Sequence, residues 1–130
     1  MPVAGLDHVN IVTRDMAGTL AFYRTVLGLG DSEVPPMPPG YVVNWLADAA
    51  GRAIFHVQQY DAARHGPAAI AAPAGPIDHV ALECQDFDAM VAHCDALGLA
   101  YRVSGVAGRS FRQLFLTDPN GIVLELNFRD

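Results

Sequence analysis

The strongest constraint on the fold is a pattern that the chain contains twice. The triplet Asp-His-Val stands at residues 7–9 and recurs 71 residues later at 78–80. The triplet Leu-Gly-Leu stands at residues 27–29 and recurs 70 residues later at 97–99. Markers that recur at nearly the same spacing predict one structural unit present twice, because duplicated units repeat their motifs at a fixed period.

Each half of the chain predicts the same order of secondary structure, β-α-β-β-β. Short runs rich in apolar and β-branched residues predict strands, and apolar residues at helical spacing predict one helix per half. Gly28 or Gly30 is expected to end the first helix, and a short strand should follow it. The other predicted elements are strands at 5–13, 41–47 and 52–59 with a helix within 15–30, and strands near 76–84, 100–104, 110–117 and 122–128 with a helix at 87–97.

The repeat predicts a single α+β domain over residues 1–130. We expect two βαβββ modules with pseudo-twofold symmetry, whose curved mixed sheet surrounds a central cavity. Module 1 should span about 4–60 and module 2 about 76–130, joined by a linker at about 61–75 that is rich in Ala, Pro and Gly. A chain of 130 residues is long enough to bury one such core.

Composition excludes several classes of partner. Fourteen acidic residues against eight basic ones give a net charge of -6, and no cluster of Lys and Arg is present to neutralise phosphates. Nucleic acid and anionic membranes are therefore not expected as partners. The chain shows no signal peptide and no apolar run near the roughly 18 residues of a membrane span, so a cytoplasmic location is expected. Cys84 and Cys94 lack zinc-type spacing and are predicted to be free thiols.

Four residues on the first and last strands of the two halves are candidate metal ligands. The first half offers His8 and His56, and the second offers His79 and Glu125, at separations of 48 and 46 residues. A symmetric fold would bring equivalent positions together. Three imidazoles and one carboxylate suit Fe, Ni, Co, Zn or Mn better than Ca or Mg, so a divalent transition metal is the predicted cofactor.

Strand alternation predicts that these candidates lie on polar faces. His56 should share its face with Gln58, and Glu125 with Asn127, while the intervening apolar residues face a helix. Glu125 stands in the apolar run "IVLELNF", where an unpaired buried carboxylate would cost several kcal/mol. It therefore needs a cation, which is either a metal ion or an arginine; the candidate arginines are Arg102, Arg109 and Arg112.

Three segments resemble the vicinal oxygen chelate superfamily. They are "LDHVNIVTRDMAGTLAFYRTVLGL", "IDHVALECQDFDAMVAHCDALGL" and "FLTDPNGIVLELNF", and the likeness covers essentially the whole chain. The superfamily contains glyoxalase I, extradiol dioxygenases, methylmalonyl-CoA epimerase, and fosfomycin and bleomycin resistance proteins. The resemblance implies a metal bound at the four candidate positions, a substrate that chelates it through two neighbouring oxygens, and Glu125 as ligand and catalytic proton shuttle.

The resemblance leaves the reaction open. His56 stands where glyoxalase I usually carries a carboxylate and the epimerase an amide, which weakens both isomerase hypotheses. His8 or His56, together with His79 and Glu125, would form the two-His-one-carboxylate set of non-haem Fe(II) oxygen chemistry. Extradiol dioxygenases also use a further acid-base His and Tyr; the residues available for these roles are His65 and His93, both expected to be solvated, and Tyr41, Tyr60 and Tyr101.

Two classes of function follow. The first is a metalloenzyme that acts on a small substrate, as an isomerase, lyase or ring-cleaving dioxygenase. The second is a metal-free binding protein of the bleomycin-resistance type. A homodimer is expected in either case, with the metal ligands shared within or between chains. The proline-rich "EVPPMPPGY" is either a lip over the cavity or a surface connector, and the candidate substrate-binding residues are Asn10, Asn44, Gln58, Arg112 and Asn127.

Overall fold

The computed structural model describes residues 2–66, 75–105 and 111–129. The chain divides into two compact units, Met1–Ala71 and Ala72–Asp130. Within the described ranges, no helix is both long and apolar enough to cross a membrane.

Unit 1 is a four-stranded mixed sheet with one long helix. The sheet order is β1-β4-β3-β2, in which β1 and β4 are parallel and the other neighbours are antiparallel. The elements are β1 (Val9–Thr13), α1 (Met16–Thr25), β2 (Gly30–Ser32), β3 (Val43–Ala47), β4 (Ala53–Gln59) and α2 (Ala62–His65).

Unit 2 repeats this arrangement. Its sheet order is β5-β8-β7-β6, again with one parallel pair, β5 and β8. The elements are β5 (Val80–Cys84), α3 (Phe87–Ala96), β6 (Arg102–Gly105), β7 (Arg112–Thr117) and β8 (Val123–Phe128). Both units therefore have the βαβββ order that the repeat predicts, and the predicted fold class is confirmed.

One face of each sheet is apolar and buried. In unit 1 the helix α1 packs on this face through Tyr23, whose ring lies 4.9 Å from that of Phe55. In unit 2 Phe87 at the start of α3 lies edge-on to Phe128 at 5.3 Å. The buried strand residues alternate with His56 on β4 and with Glu125 on β8, so each sheet presents this candidate metal ligand on the face opposite to the helix. These buried residues are Ile11, Leu46, Phe55 and Val57 in unit 1 and Leu114, Leu116, Leu124, Leu126 and Phe128 in unit 2.

The helix ends repeat as well. Asp15 caps α1 by accepting a hydrogen bond from the Gly18 amide, and Asp86 caps α3 in the same way. After the helices, Gly28 and Gly98 have φ angles of +67° and +66°, which glycine adopts without steric cost. Gly28, rather than Gly30, therefore ends the first helix.

The hairpin turns of the two units are built alike. Asp48 and Asp118 each use one carboxylate oxygen to accept the amides two and four residues later. Gly51 and Gly121 close the turns with φ angles of +81° and +84°. The sequence "DAAGR" thus forms the same turn as the "DPNG" motif, because both place an aspartate first and a glycine fourth.

Two details differ from the sequence-based expectation, and a third agrees with it. His8 and His79 lie directly before β1 and β5 and not within them. The short helix α2 forms in what is predicted as linker. Cys84 in β5 and Cys94 in α3 are both free thiols, as expected.

Candidate functional site

Three flat side chains are stacked on the polar face of unit 1. The His8 and His56 rings lie 3.6 Å apart at 15°, and the Trp45 ring lies 3.9 Å from the other face of His56 at 6°. Strand register produces the second contact, because Trp45 on β3 is paired directly with His56 on β4. The structure thus brings together the two candidate ligands of this unit, with Trp45 as a wall beside them.

His8 is fixed by the residue before it. Its Nδ1 atom contacts Asp7 Oδ2 at 2.5 Å. The repeated triplet produces the same contact in unit 2, where His79 Nδ1 lies 2.8 Å from Asp78 Oδ2. A carboxylate on Nδ1 leaves Nε2 as the nitrogen that can bind another group, which is the arrangement of metal-ligating histidines. The aspartates of the "DHV" triplets were not predicted as site residues, although their repetition was a visible signal.

His79 and Glu125 are in direct contact in unit 2. The Nε2 atom of His79 lies 2.9 Å from Oε2 of Glu125. The side chain of Glu125 is only 13% exposed, so this partner matters for its burial. The cation that Glu125 requires is therefore supplied, in this structure, by the imidazole of His79 when it is protonated.

A glutamine completes the surroundings of Glu125. Gln113 Nε2 donates to Glu125 Oε1 at 2.6 Å and to Asn127 Oδ1 at 3.1 Å. Gln113 lies opposite Asn127 in the β7–β8 ladder, which places both beside Glu125. Gln113 is a site residue that the sequence does not predict, because nothing in its local pattern indicates which residue of the neighbouring strand it will face.

The arginines do not bind Glu125 within the described residues. The Arg102 guanidinium lies over the Phe115 ring at 4.1 Å. Arg112 lies over Phe87 and contacts Asp88 at 3.4 Å, on the helix side of the sheet. Arg109 falls outside the described residues. Arg112 is therefore separated from the polar face on which it was expected as a substrate-binding residue.

The remaining substrate-binding candidates also divide by sheet face. Asn10 and Gln58 share the face of His56, and Asn10 Nδ2 donates to Gln58 Oε1 at 3.5 Å. Asn127 shares the face of Glu125 and is buried. Asn44 pairs with Val57, which is buried on the helix side. The structure thus places Asn44 opposite to the group that it was expected to join.

The additional acid-base candidates have structural partners. His65 is half-buried in α2, where Nε2 lies 3.4 Å from Gln58 Oε1, and is not solvated as expected. His93 is half-buried on α3. The Tyr101 hydroxyl donates to Asp95 at 2.8 Å, and this hydrogen bond raises the pKa of Tyr101. Tyr41 in the proline-rich connector lies 3.8 Å below the Arg64 guanidinium.

The two histidines with shifted pKa values are perturbed in opposite directions. Burial lowers the pKa of His56, and the neighbouring His8 lowers it further. The hydrogen bond to Asp78 raises the pKa of His79, and the negative charge of Glu125 adds to this effect. At neutral pH His56 is therefore held in the neutral form, whose lone pair can bind a metal ion.

The donor atoms of each unit fit a transition metal. Unit 1 offers two imidazoles, and unit 2 offers an imidazole and a carboxylate in contact, a mixture of N and O ligands that Mn, Fe, Co, Ni and Zn accept. A metal ion on His79 would take the place of the Nε2 proton that now faces Glu125. Within the described ranges, no three His, Cys, Asp or Glu side chains are grouped closely enough to hold a metal ion.

The comparisons with known proteins identify a family. The model of the Glyoxalase/Bleomycin resistance protein/Dioxygenase superfamily matches residues 5–126. Among curated proteins no match was found.

Three solved structures share the fold at low sequence identity. The fosfomycin resistance protein FosX from Listeria monocytogenes, complexed with Mn(II) and sulfate, is 15% identical with a TM-score of 0.67, covering 98% of this chain and 93% of that one. The antibiotic binding protein TnmS3 from Streptomyces sp. CB03234 is 20% identical with a TM-score of 0.70, covering 100% and 99%. A glyoxalase/dioxygenase from Nostoc punctiforme is 20% identical with a TM-score of 0.66, covering 96% and 90%.

Proposed function

The chain belongs to the Glyoxalase/Bleomycin resistance protein/Dioxygenase superfamily, and we propose that it is a member that binds a divalent metal and a small ligand with vicinal oxygens. The observation that carries this proposal is the repeated pairing in the two units. In each unit the histidine of the "DHV" triplet has its Nδ1 on an aspartate and its ring against a second donor on the last strand, His56 or Glu125.

The proposed ligands are His8, His56, His79 and Glu125. A metal held there would act as a Lewis acid that stabilises negative charge on the chelating oxygens of the ligand. Asp7 and Asp78 orient the imidazoles, and Gln113 holds the carboxylate of Glu125. Glu125, whose Oε2 lies 2.9 Å from His79 Nε2, is the residue that we propose to accept or donate a proton during a reaction.

Metal analysis of protein purified without chelator tests this proposal. Mn(II) is the first metal to examine, because FosX was crystallised with it. We expect stoichiometric metal in the wild type and loss of at least tenfold in affinity in His79→Ala and in Glu125→Ala. His93→Ala is the matched control, since it removes an imidazole on α3 and should keep full metal content.

The single tryptophan gives a second measurement. Trp45 stacks on His56, so binding of Mn(II) or Ni(II) at His56 should change its fluorescence with the same midpoint as metal uptake. The proposal fails if the wild type takes up no transition metal and its melting temperature does not rise on addition of Mn(II), Fe(II), Ni(II) or Zn(II). It also fails if metal uptake is unchanged in both variants.

Activity assays separate the proposed reactions. We propose an enzyme of the glyoxalase or dioxygenase type. Oxygen consumption with catechols would identify ring-cleaving chemistry, and isomerisation of a hemithioacetal would identify glyoxalase chemistry. Metal-loaded protein that catalyses neither reaction would contradict the assignment to these two reaction types.

A metal-free binding protein is the second candidate, and the aromatic stack of unit 1 favours it. The Trp45, His56 and His8 rings form a layered surface suited to a planar ligand. TnmS3, which has the same fold, is an antibiotic binding protein. Chelator-treated protein should then bind a planar aromatic compound. Binding that is lost in Trp45→Leu and retained in Glu125→Ala would support this candidate over the metal-dependent one.

A homodimer is proposed as the working assembly. Leu6 and Ile77 occupy equivalent positions before the two histidines and are 84% and 62% exposed, and such apolar side chains are commonly covered by a partner chain. Sedimentation velocity should give a dimer. If ligands are shared between chains, mixing His8→Ala and His79→Ala protomers should recover, at one site per dimer, the metal affinity that each variant alone has lost.

A further inference from the structure

A hydrogen-bonded chain runs from α2 to the polar face of unit 1. The Asp61 amide donates to Nδ1 of His65 at 2.9 Å, and Nε2 of His65 lies 3.4 Å from Oε1 of Gln58. Asn10 Nδ2 lies 3.5 Å from the same Gln58 oxygen. Gln58 is two residues beyond His56 on β4, so the chain ends beside the stacked rings.

The direction of each hydrogen bond follows from the first. A backbone amide can only donate, so Nδ1 of His65 must be the acceptor and carry no proton. The proton of the neutral imidazole is then on Nε2, which donates to Gln58 Oε1. With two donors on its oxygen, Gln58 is held with its Nε2 amide group directed away from both. That amide group has no hydrogen-bond acceptor among the described residues.

The position of His65 is itself enforced. Asp61 begins α2 by accepting the Ala63 amide at 2.9 Å. The ring of Tyr60 packs beside that of His65 at 5.8 Å, and its hydroxyl donates to the Gly66 carbonyl at 2.6 Å. These contacts at and around one short helix are more than a solvated linker requires.

The Tyr60 ring, which packs beside His65, also contacts a positively charged side chain. The Arg14 guanidinium lies 4.4 Å over the Tyr60 ring and forms no ion pair with the described residues. Arg14 follows β1 as Tyr60 follows β4, so both lie at the same end of the sheet. Gln58 stands two residues before Tyr60 at this end of β4, and a guanidinium without an ion pair at the same end of the sheet favours a ligand oxygen that bears negative charge.

We propose that Gln58 donates a hydrogen bond to an anionic oxygen of the bound ligand, and that His65 is the positioning residue that sets the Gln58 amide for this role. The inference deepens the proposed function, since it names the chemistry that the site recognises next to His56. The ligand class is a small molecule with an enolate, catecholate or carboxylate oxygen. An aliphatic or cationic group at this position would leave the amide donor unpaired.

The binding test uses 4-nitrocatechol as the probe, with Mn(II)-loaded protein. Gln58→Glu replaces the amide donor by a carboxylate oxygen, and we expect the affinity to fall about tenfold or more, the cost of losing a hydrogen bond to a charged group. Gln59→Glu is the matched control, because it makes the same change one residue later on the opposite face of β4. Its affinity should stay within about twofold of the wild type.

The positioning role of His65 needs a separate readout. His65→Leu should weaken nitrocatechol binding by about threefold to tenfold, as expected for loss of one supporting hydrogen bond. It should leave Mn(II) affinity unchanged. His65→Gln, which keeps a donor, should restore part of the loss. Equal affinity in wild type, Gln58→Glu and His65→Leu would overturn the inference while the proposed metal function stands.

An NMR measurement on the metal-free protein tests the positioning role of His65 even if no metal binds. Long-range ¹H–¹⁵N NMR of the histidine rings should show that His65 is protonated on Nε2 and unprotonated on Nδ1. The side-chain amide signals of Gln58 should shift in His65→Leu, whereas those of Gln113 should not. A His65 ring protonated on Nδ1 would refute the positioning role, whatever the metal content of the protein.

Discussion

At the scale of single residues, the aspartates of the "DHV" triplets give the histidines their direction. Asp7 and Asp78 are both more than 90% exposed, yet each holds the Nδ1 atom of the following imidazole. Their contribution to stability is therefore small, and their importance lies in leaving Nε2 available. This separates a role in ligand orientation from a role in folding.

Replacing Asp78 by asparagine tests whether this residue orients His79 without stabilising the fold. We expect Mn(II) affinity to fall by about tenfold, the usual size of such an effect for groups that orient metal ligands. The melting temperature of the metal-free protein should change little, because the pair is exposed. Asp31→Asn, which breaks the exposed pair with Arg24, is the control and should leave metal affinity unchanged. Equal affinities in both variants, measured by competition with a chelating dye, would contradict the orienting role.

A second residue-scale prediction concerns Cys84 on β5. Burial and the nearby charge of Glu83 raise the pKa of the Cys84 thiol to about 11. Its thiolate fraction at pH 8 is then about a hundredfold below that of an ordinary cysteine. Alkylation by iodoacetamide should be slowed by at least this factor in folded Cys94→Ser protein, and should reach the ordinary rate in urea. Equal rates in both states would contradict the raised pKa.

The raised pKa of Cys84 also determines how the free energy of unfolding changes with pH. A thiol with a raised pKa in the folded state favours folding as long as it stays protonated. Its contribution is complete below the unfolded pKa of 9.0 and is lost as the pH rises toward about 11. The melting temperature of Cys84→Ser should therefore decline less than that of the wild type over this interval.

At the scale of elements, the two units use the same start and stop signals around different helices. The aspartate caps, the glycines after the helices and the aspartate-first hairpin turns all recur. These are local devices whose effect depends on the residues within a few positions. They are therefore the part of the fold that a repeat in the sequence predicts best.

Gly28 and Gly30 form a matched pair that tests which glycine ends the first helix. Gly28 has φ +67° and Gly30 does not have a positive φ, and a Cβ atom added at either would meet nothing within 4 Å. Gly28→Ala should cost about 1 kcal/mol of unfolding free energy from backbone strain alone. Gly30→Ala should be neutral or stabilising by a few tenths of a kcal/mol. Urea unfolding monitored by Trp45 fluorescence compares them, and equal midpoints would refute the assignment of Gly28 as the helix stop.

At the scale of the whole molecule, the apolar core and the candidate metal ligands lie on opposite faces of each sheet. The core of unit 2 contains Leu114, Leu124 and Leu126, none of which lies on the face of Glu125. Burial of these side chains, at roughly 1.5–3 kcal/mol each, does not depend on a metal. The fold should therefore persist when the metal is removed.

Chelation tests this independence. Protein treated with EDTA should keep its far-UV circular dichroism and a cooperative thermal transition. Adding Mn(II) at a hundred times its dissociation constant should then stabilise the protein by about 2.7 kcal/mol. The Glu125→Gln variant should show little of this gain, measured against its own metal-free melting temperature. Loss of secondary structure on chelation would show that the metal is required for folding.

The sequence by itself determined the duplicated βαβββ order, a glycine at the end of the first helix, and the faces on which His8, His56, His79 and Glu125 lie. Each of these depends on local periodicity or on a motif within a few residues. Only the tertiary structure decided which side chains meet across strands, because that depends on ladder register. Register placed Gln113 on Glu125 and Trp45 on His56, and it moved Asn44 and Arg112 to the helix side. The packing of α2 against β4 brought His65 onto Gln58.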